Sequence, residues 1–290
     1  MKRILITGGN GQLAANLKVL AKDHRQTIVM DFKSAQEMDI TNSASVLKAF
    51  AEKKYDYCIN CAAYTQVDKA ENEQELAQNI NERGAKNLAE ACRNSGSILV
   101  HISTDFVFDG NQSEPYSETD VPNPTGKYGQ TKLQGEKAIE ATMVKFFIIR
   151  TSWLYSEYGH NFMKSMLKYG RERDELTVVF DQVGTPTYAG DLALAILRII
   201  ASGSTAYGTY HYSNEGVASW YDFASAIFDL ADIKVELLPI RSEKYPLPAP
   251  RPAFSVFDKS KIKEEFQLKI PHWRQSLAKA LNRNPGIANH

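Results

Sequence analysis

Arg3-Ile4-Leu5-Ile6-Thr7-Gly8-Gly9-Asn10-Gly11-Gln12-Leu13-Ala14 is the stretch that decides the fold. Arg3 to Thr7 is β-rich and Gln12 to Lys22 follows a helical pattern, so the glycines bridge a strand and a helix. Gly8 and Gly11 fill the first two small positions of a G-x-x-G-x-x-G loop, and Ala14 fills the third. Glycines let the backbone turn tightly and bring N–H groups close to a pyrophosphate, to which the helix N-terminus adds its partial positive charge. Gly8, Asn10, Gly11, Gln12 and Leu13 are therefore the candidate pyrophosphate contacts. A plain strand–helix turn would also use glycine, and the flanking elements are what give the loop its weight.

Working outward, short β-rich runs alternate with helical ones. After the first helix come a strand at Thr27–Met30, a helix at Ser43–Lys54, a strand at Tyr57–Asn60 and one long helix at Glu73–Ser95. A strand at Ile98–Ser103, a helix at Lys127–Ala141 and a strand at Lys145–Thr151 follow. This alternation predicts an α/β fold, a Rossmann-type doubly wound parallel sheet. Phe146-Phe147-Ile148-Ile149 lacks polar alternation, as a strand covered on both faces should. Beyond residue 155 the rhythm loosens. Helical patterns persist at Phe162–Tyr169, Ala189–Ala201, Trp220–Ala231 and His272–Leu281, with strand-like pieces at Leu176–Phe180, Thr209–Tyr212 and Val235–Pro239. The expected division is residues 1–155 for the cofactor and 156–290 for a smaller C-terminal α/β substrate lobe, with the chain free to cross between them.

Asp31 ends the second strand, where an acidic residue takes the adenosine ribose hydroxyls. Lys33 is placed to neutralise a 2′-phosphate, so NADH and NADPH both stay open. Asp39-Ile40 is either an adenine contact or a loop before a helix capped by Thr41 or Asn42.

The chain has 290 residues, with 34 Lys plus Arg against 34 Asp plus Glu. Zero net charge argues against a nucleic-acid binder, which usually carries a basic footprint. No apolar run reaches the ~18 residues of a membrane span, so no membrane partner is expected. Three cysteines make no disulfide framework, which points to the cytoplasm. Cys58-x-x-Cys61 has metal-ligand spacing, but i and i+3 on a strand face opposite ways, so both are read as buried structural thiols. His101 reads as a core histidine.

Of 14 tyrosines only Tyr128 has a lysine four residues on, Lys132. Such residues share a helix face. The fourth strand ends in Ser103-Thr104-Asp105, at the carboxyl edge where open α/β sheets bind ligands. Tyr128 is then the candidate proton donor to a ketone oxygen, and Lys132 a cation expected to lower its pKa. Thr104 is a hydrogen-bond partner for developing charge, and a nicotinamide would supply hydride.

More specific are Asn60-Cys61-Ala62-Ala63-Tyr64-Thr65-Gln66-Val67-Asp68-Lys69-Ala70-Glu71, Ser103-Thr104-Asp105-Phe106-Val107-Phe108-Asp109-Gly110, Arg150-Thr151-Ser152-Trp153-Leu154-Tyr155 and Gly184-Thr185-Pro186-Thr187. With the features above, this set resembles the extended short-chain dehydrogenase/reductase superfamily and, within it, the dTDP-4-dehydrorhamnose reductase family. The resemblance implies NAD(P)H-dependent reduction of the C4 ketone of a dTDP-sugar in dTDP-rhamnose biosynthesis. It assigns Tyr128, Lys132 and Thr104 to catalysis, Tyr128 and Lys132 also to cofactor binding, with Lys132 holding the nicotinamide ribose, and Asp31, Asp39 and Ile40 to the adenosine. Ala62, Ala63, Tyr64 and Thr65 fall beside the cofactor, and Thr104, Asp105 and Trp153 in the sugar pocket. Phe106 stands where the family often has Tyr, which removes one polar contact. Some members bridge a dimer with Mg²⁺ held by glutamates. Leu13-Ala14-Ala15-Asn16 lacks a carboxylate there, which counts against Mg²⁺, and no residue is assigned to a metal. Monomer and homodimer both stay open. Other nucleotide-sugar 4-ketoreductases or epimerases, and a non-catalytic NADP-binding regulatory subunit, are the rival readings.

Trp153 is either a sugar wall or a packing residue, and Asp68 with Lys69 either pocket or surface. Four of the 11 prolines fall between Pro246 and Pro252. We read that stretch as a stiff loop closing the cleft, not an SH3-type ligand, with Arg251 placed to meet the substrate diphosphate.

Overall fold

The computed structural model describes residues 1–23 and 27–284. Five sheet strands, β1 (Lys2–Thr7), β2 (Ile28–Phe32), β3 (Tyr57–Asn60), β4 (Ile98–Thr104) and β5 (Phe146–Thr151), alternate with helices. The helices are α1 (Gln12–Asp23), α2 (Ser43–Glu52), α3 (Gln74–Gln78), α4 (Gly84–Ser95) and α5 (Lys127–Thr142). The sheet order is β2-β1-β3-β4-β5 with a sixth strand, Gly208–His211, beside β5, and every pairing is parallel. Ile4, Leu5 and Ile6 are all fully buried because both faces are covered. Ile4 and Ile6 pack with α1 and helix Ala189–Ser202. Leu5 packs with residues of α2, α4 and α5. The strand order reverses between β1 and β3, and open α/β sheets bind ligands at the carboxyl ends flanking such a switch.

One helix was expected over Glu73–Ser95, and the structure breaks it. A π-helical turn, Asn79–Arg83, separates α3 from α4. Its cause is local. Asn81 is buried and turned to Tyr64, whose N–H donates to Asn81 Oδ1 at 2.9 Å. Asn81 Nδ2 donates to Tyr64 O at 3.2 Å and Thr131 Oγ1 at 3.1 Å. The bulge presses Asn81 O against Gly135 of α5, where a Cβ would come within 2.2 Å. Leu76, on α3 before the π turn, is 48% exposed.

A second core gathers helices Phe162–Glu172, Trp220–Leu230 and Trp273–Asn282 against the strand Glu175–Val179, which pairs in parallel with Glu236–Ile240. A capping box between Ser219 and Asp222 sets the start of the middle helix and so fixes Trp220 at its first turn. At the sheet's rim, the outward groups of the sixth strand meet charged side chains. The His211 N–H donates to Glu118 Oε1 at 2.8 Å, and Lys261 Nζ donates to Thr209 O at 2.8 Å.

Cys58 lies at a hydrogen bond to Cys92, not Cys61, and that contact with burial holds its thiol well above the usual range. No helix among the described residues is long and apolar enough to cross a membrane.

Candidate active site

A cleft of about 940 Å³ opens at the carboxyl ends of β1, β3 and β4. Its first wall is the glycine loop. Gly8 has φ +61°, and a Cβ there would stand 2.7 Å from Ala62 N, so only glycine lets the loop lie against the end of β3. Gly8, Asn10, Gly11, Gln12 and Leu13 all line the cleft, and α1 presents its N-terminus to it. This geometry fits a dinucleotide pyrophosphate. Gln12 also reaches across the molecule. Its Nε2 donates to Leu154 O at 3.1 Å, and its Oε1 accepts from Ser156 Oγ and Asn161 Nδ2, each at 3.3 Å.

Asp39 and Ile40 line the same cleft. Asp39 Oδ1 accepts from the N–H and hydroxyl of Thr41, and Asn42 caps α2. The segment is therefore a helix lead-in whose side chains also form part of the cleft wall. Ala62, Ala63 and Thr65 follow along the floor.

Asp31 and Tyr64 stand outside the cleft lining. Asp31 Oδ2 accepts from Lys53 Nζ at 2.9 Å and Tyr55 OH at 3.1 Å, and these partners hold its carboxyl below the usual range despite the opposing effect of burial. Tyr64 is buried, with its hydroxyl donating to Glu73 Oε2 at 2.7 Å. Ser34, Gln36 and Met38 line the wall beyond β2 instead, and the sequence pattern carried no signal for them.

Thr104, Asp105, Tyr128 and Lys132 meet at the inner end. Thr104 Oγ1 donates to Asp105 Oδ1 at 3.0 Å and accepts from the Phe106 N–H at 3.2 Å. Burial pushes the Asp105 carboxyl up to about 6, against the pull of hydrogen bonds from Ser255 and Thr104. Tyr128 meets the ring of Phe106 edge-on at 5.6 Å. The Tyr128 phenol is raised to about 12, chiefly by burial, with the Thr104 hydrogen bond pulling it down and the Asp105 charge pushing it up. This corrects the expectation of a lowered phenol. Burial dominates, and the Lys132 amine is engaged elsewhere: Nζ donates to Ile102 O at 2.7 Å and lies 3.3 Å from His101 Nε2. Burial brings Lys132 down to about 8, partly offset by Glu136.

Trp153 lines the cleft at φ +46°, a left-handed backbone uncommon outside glycine. Its ring stacks on Trp220 at 3.5 Å and 6°. Gly184 leaves the space, since a Cβ there would lie 2.8 Å from Trp153 Cε2. Sequence reasoning missed Trp220 as a cleft residue, because only the tertiary fold brings its helix here. The two rings also line a neighbouring cavity of about 460 Å³ with Phe162, Tyr169 and Tyr245. Arg251 borders both cavities and makes a bidentate pair with Asp68, NH1 to Oδ1 at 2.8 Å and NH2 to Oδ2 at 2.7 Å. That pairing holds the Asp68 carboxyl below the usual range.

Residues 1–285 match the RmlD substrate binding domain family. The chain is 42% identical over 289 residues to the dTDP-4-dehydrorhamnose reductase of Aggregatibacter actinomycetemcomitans, covering 96% of this chain and 97% of that protein. The solved dTDP-4-dehydrorhamnose reductase of Clostridium acetobutylicum superposes with a TM-score of 0.92 at 44% identity, covering 97% of this chain and 98% of that one. The enzyme of the same name from Bacillus anthracis, solved with NADP, gives 0.93 at 42% identity, covering 97% and 99%. A glycine loop, a strand-end threonine and a Tyr/Lys pair in one cleft, with this likeness along the chain, place it in the RmlD substrate binding domain family.

Proposed function

We propose that this chain uses NADPH or NADH to reduce the C4 ketone of dTDP-4-dehydro-β-L-rhamnose to dTDP-β-L-rhamnose. The observation that carries the reading is that Thr104, Tyr128 and Lys132 line one cleft with the glycine loop, in a chain related to reductases of that name nearly end to end. The relative solved with NADP supports the phosphorylated cofactor, and Asp31, committed to Lys53, offers it no selective opposition. Residues 1–155 would hold mainly the cofactor and residues 156–290 mainly the sugar nucleotide. The thiols, free at Cys58, Cys61 and Cys92, support a reducing compartment such as the cytoplasm.

When bound along the glycine loop, a nicotinamide cofactor would supply the hydride. Tyr128, protonated at neutral pH because burial raises it, gives its proton to the C4 oxygen. Thr104 holds the phenol and that oxygen in hydrogen-bond reach. Trp153 walls the sugar, and the aromatic cavity beside it takes the thymine. Loss of NADPH absorbance on adding dTDP-4-dehydrorhamnose tests the reading, and a panel of GDP- and UDP-4-keto sugars tests the substrate class. No oxidation under saturating substrate would favour a cofactor-binding protein without catalysis.

Arg251 is assigned to the diphosphate. Its guanidinium already borders the cleft and needs only to exchange Asp68 for phosphate. Arg251→Ala is expected to raise the sugar-nucleotide KM by roughly tenfold, the scale of one charge-assisted contact, with NADPH affinity unchanged. An unaltered KM removes the assignment.

A further inference from the structure

Beneath Lys132 lies a row of buried polar side chains that the mechanism above leaves unused. Thr7, Asn60 and His101 stand in register on β1, β3 and β4, each 1% exposed. Their hydrogen bonds have a fixed sense. The Ala62 N–H can only donate, and it donates to Asn60 Oδ1 at 3.2 Å. Thr7 Oγ1 donates to the same oxygen at 2.6 Å. The amide nitrogen of Asn60 is therefore the end that faces His101 Nδ1, at 3.0 Å. An amide NH₂ donates and does not accept, so Nδ1 presents its lone pair. Burial and the neighbouring Lys132 hold His101 neutral, so its one ring proton sits on Nε2. That Nε2–H faces Lys132 Nζ at 3.3 Å. An ammonium has no lone pair to receive it, whereas a neutral amine has one.

We propose that His101 is a positioning residue for Lys132: its Nε2–H, oriented by Asn60, hydrogen-bonds the neutral amine and so favours release of the Lys132 proton as pH rises. This rests on the reductase reading above. When the ammonium gives a proton to solvent, a Lys132 N–H bond breaks and its electron pair stays on nitrogen. The electron pair left on nitrogen accepts the His101 Nε2–H, while an amine N–H stays on Ile102 O. A proton taken back from solvent restores the ammonium. The other titratable groups acting here are Glu136, which favours the ammonium, and Asp105, which acts on the phenol one turn away. His101 does not line the cleft, so its effect passes through Lys132.

The first test needs no turnover. In protein labelled with ¹⁵N-histidine, the resonance removed by His101→Gln should show a protonated Nε2 and an unprotonated Nδ1 across the neutral pH range. An Nδ1–H tautomer overturns the proposal. The second test is Asn60→Asp. Its carboxylate would draw the proton to Nδ1, turn a lone pair toward Lys132 and add a negative charge nearby. Lys132 would then stay protonated to higher pH. Activity that needs the ammonium falls as pH rises through the lysine pKa, so the alkaline limb of kcat should move up by about one unit, with NADPH affinity unchanged. A limb that stays in place in a variant of normal NADPH affinity also overturns it. If the wild type reduces no 4-keto sugar at all, the reductase reading fails, and the ¹⁵N result still decides the tautomer.

Discussion

Tyr128→Phe is expected to lower kcat by about 10²–10⁴, the range that positioned proton transfer contributes, while NADPH still binds. The substitution deletes the one atom that donates and little else. The ring is held by its edge-on contact with Phe106, which a phenylalanine keeps. The helix beneath is fixed by Gly129, where a Cβ would lie 2.1 Å from Phe106 O, and by Gly135 against Asn81. The cleft should therefore keep its shape. Because burial lifts the phenol to about 12, the wild-type donor form persists throughout the neutral range, and the phenol itself imposes no acid or neutral limb on the rate. Steady-state rates with a fluorescence titration of NADPH separate the two effects. Full turnover in Tyr128→Phe would end the assignment.

Glu136→Ala is expected to cost about 3–5 kcal/mol of stability, because it strands a buried guanidinium. Arg150 NH2 donates to Glu136 Oε2 at 2.7 Å and Arg150 Nε to Oε1 at 3.1 Å, with both side chains almost wholly buried. Ser103 adds a hydrogen bond to the same carboxylate. The pair joins α5 to β5 directly behind Lys132, so its loss should also loosen the helix that carries Tyr128. Urea unfolding of the two proteins measures the difference. Glu136→Gln keeps the shape and part of the hydrogen bonding, so it should lose less. A change under about 1 kcal/mol in Glu136→Ala, the size of an exposed pair, would show that Arg150 finds another partner.

The parallel sheet was legible because its strands are unbroken apolar runs between helical periods, and the glycine loop marked the carboxyl edge. Gly8, Gly11, Ala62, Thr104, Tyr128 and Lys132 lie in one cleft because β1, β3, β4 and α5 all open there. What local pattern cannot show is where a side chain turns. Asp31 follows the spacing rule for a ribose partner, yet Lys53 and Tyr55 claim its carboxylate. The π turn at Asn79–Arg83 was hidden because one inserted residue barely disturbs a helical period. The lowering of Tyr128 was expected from the i, i+4 lysine, and spacing says nothing about the desolvation that outweighs it. Trp220 reaches the cleft through a fold contact with Trp153, which no sequence separation reveals.

The charged side chains at the rim of the sheet bear on how these molecules behave when crowded. A terminal strand with bare main-chain groups is a template on which another chain can add a strand, the first step of aggregation. On Gly208–His211, Glu118 takes an outward N–H and Lys261 an outward C=O. A newcomer would have to displace two charged groups from their partners before forming its first rung. The rim is thus blunted by chemistry as well as by shape, and β-sheet extension through this edge is disfavoured even at high protein concentration.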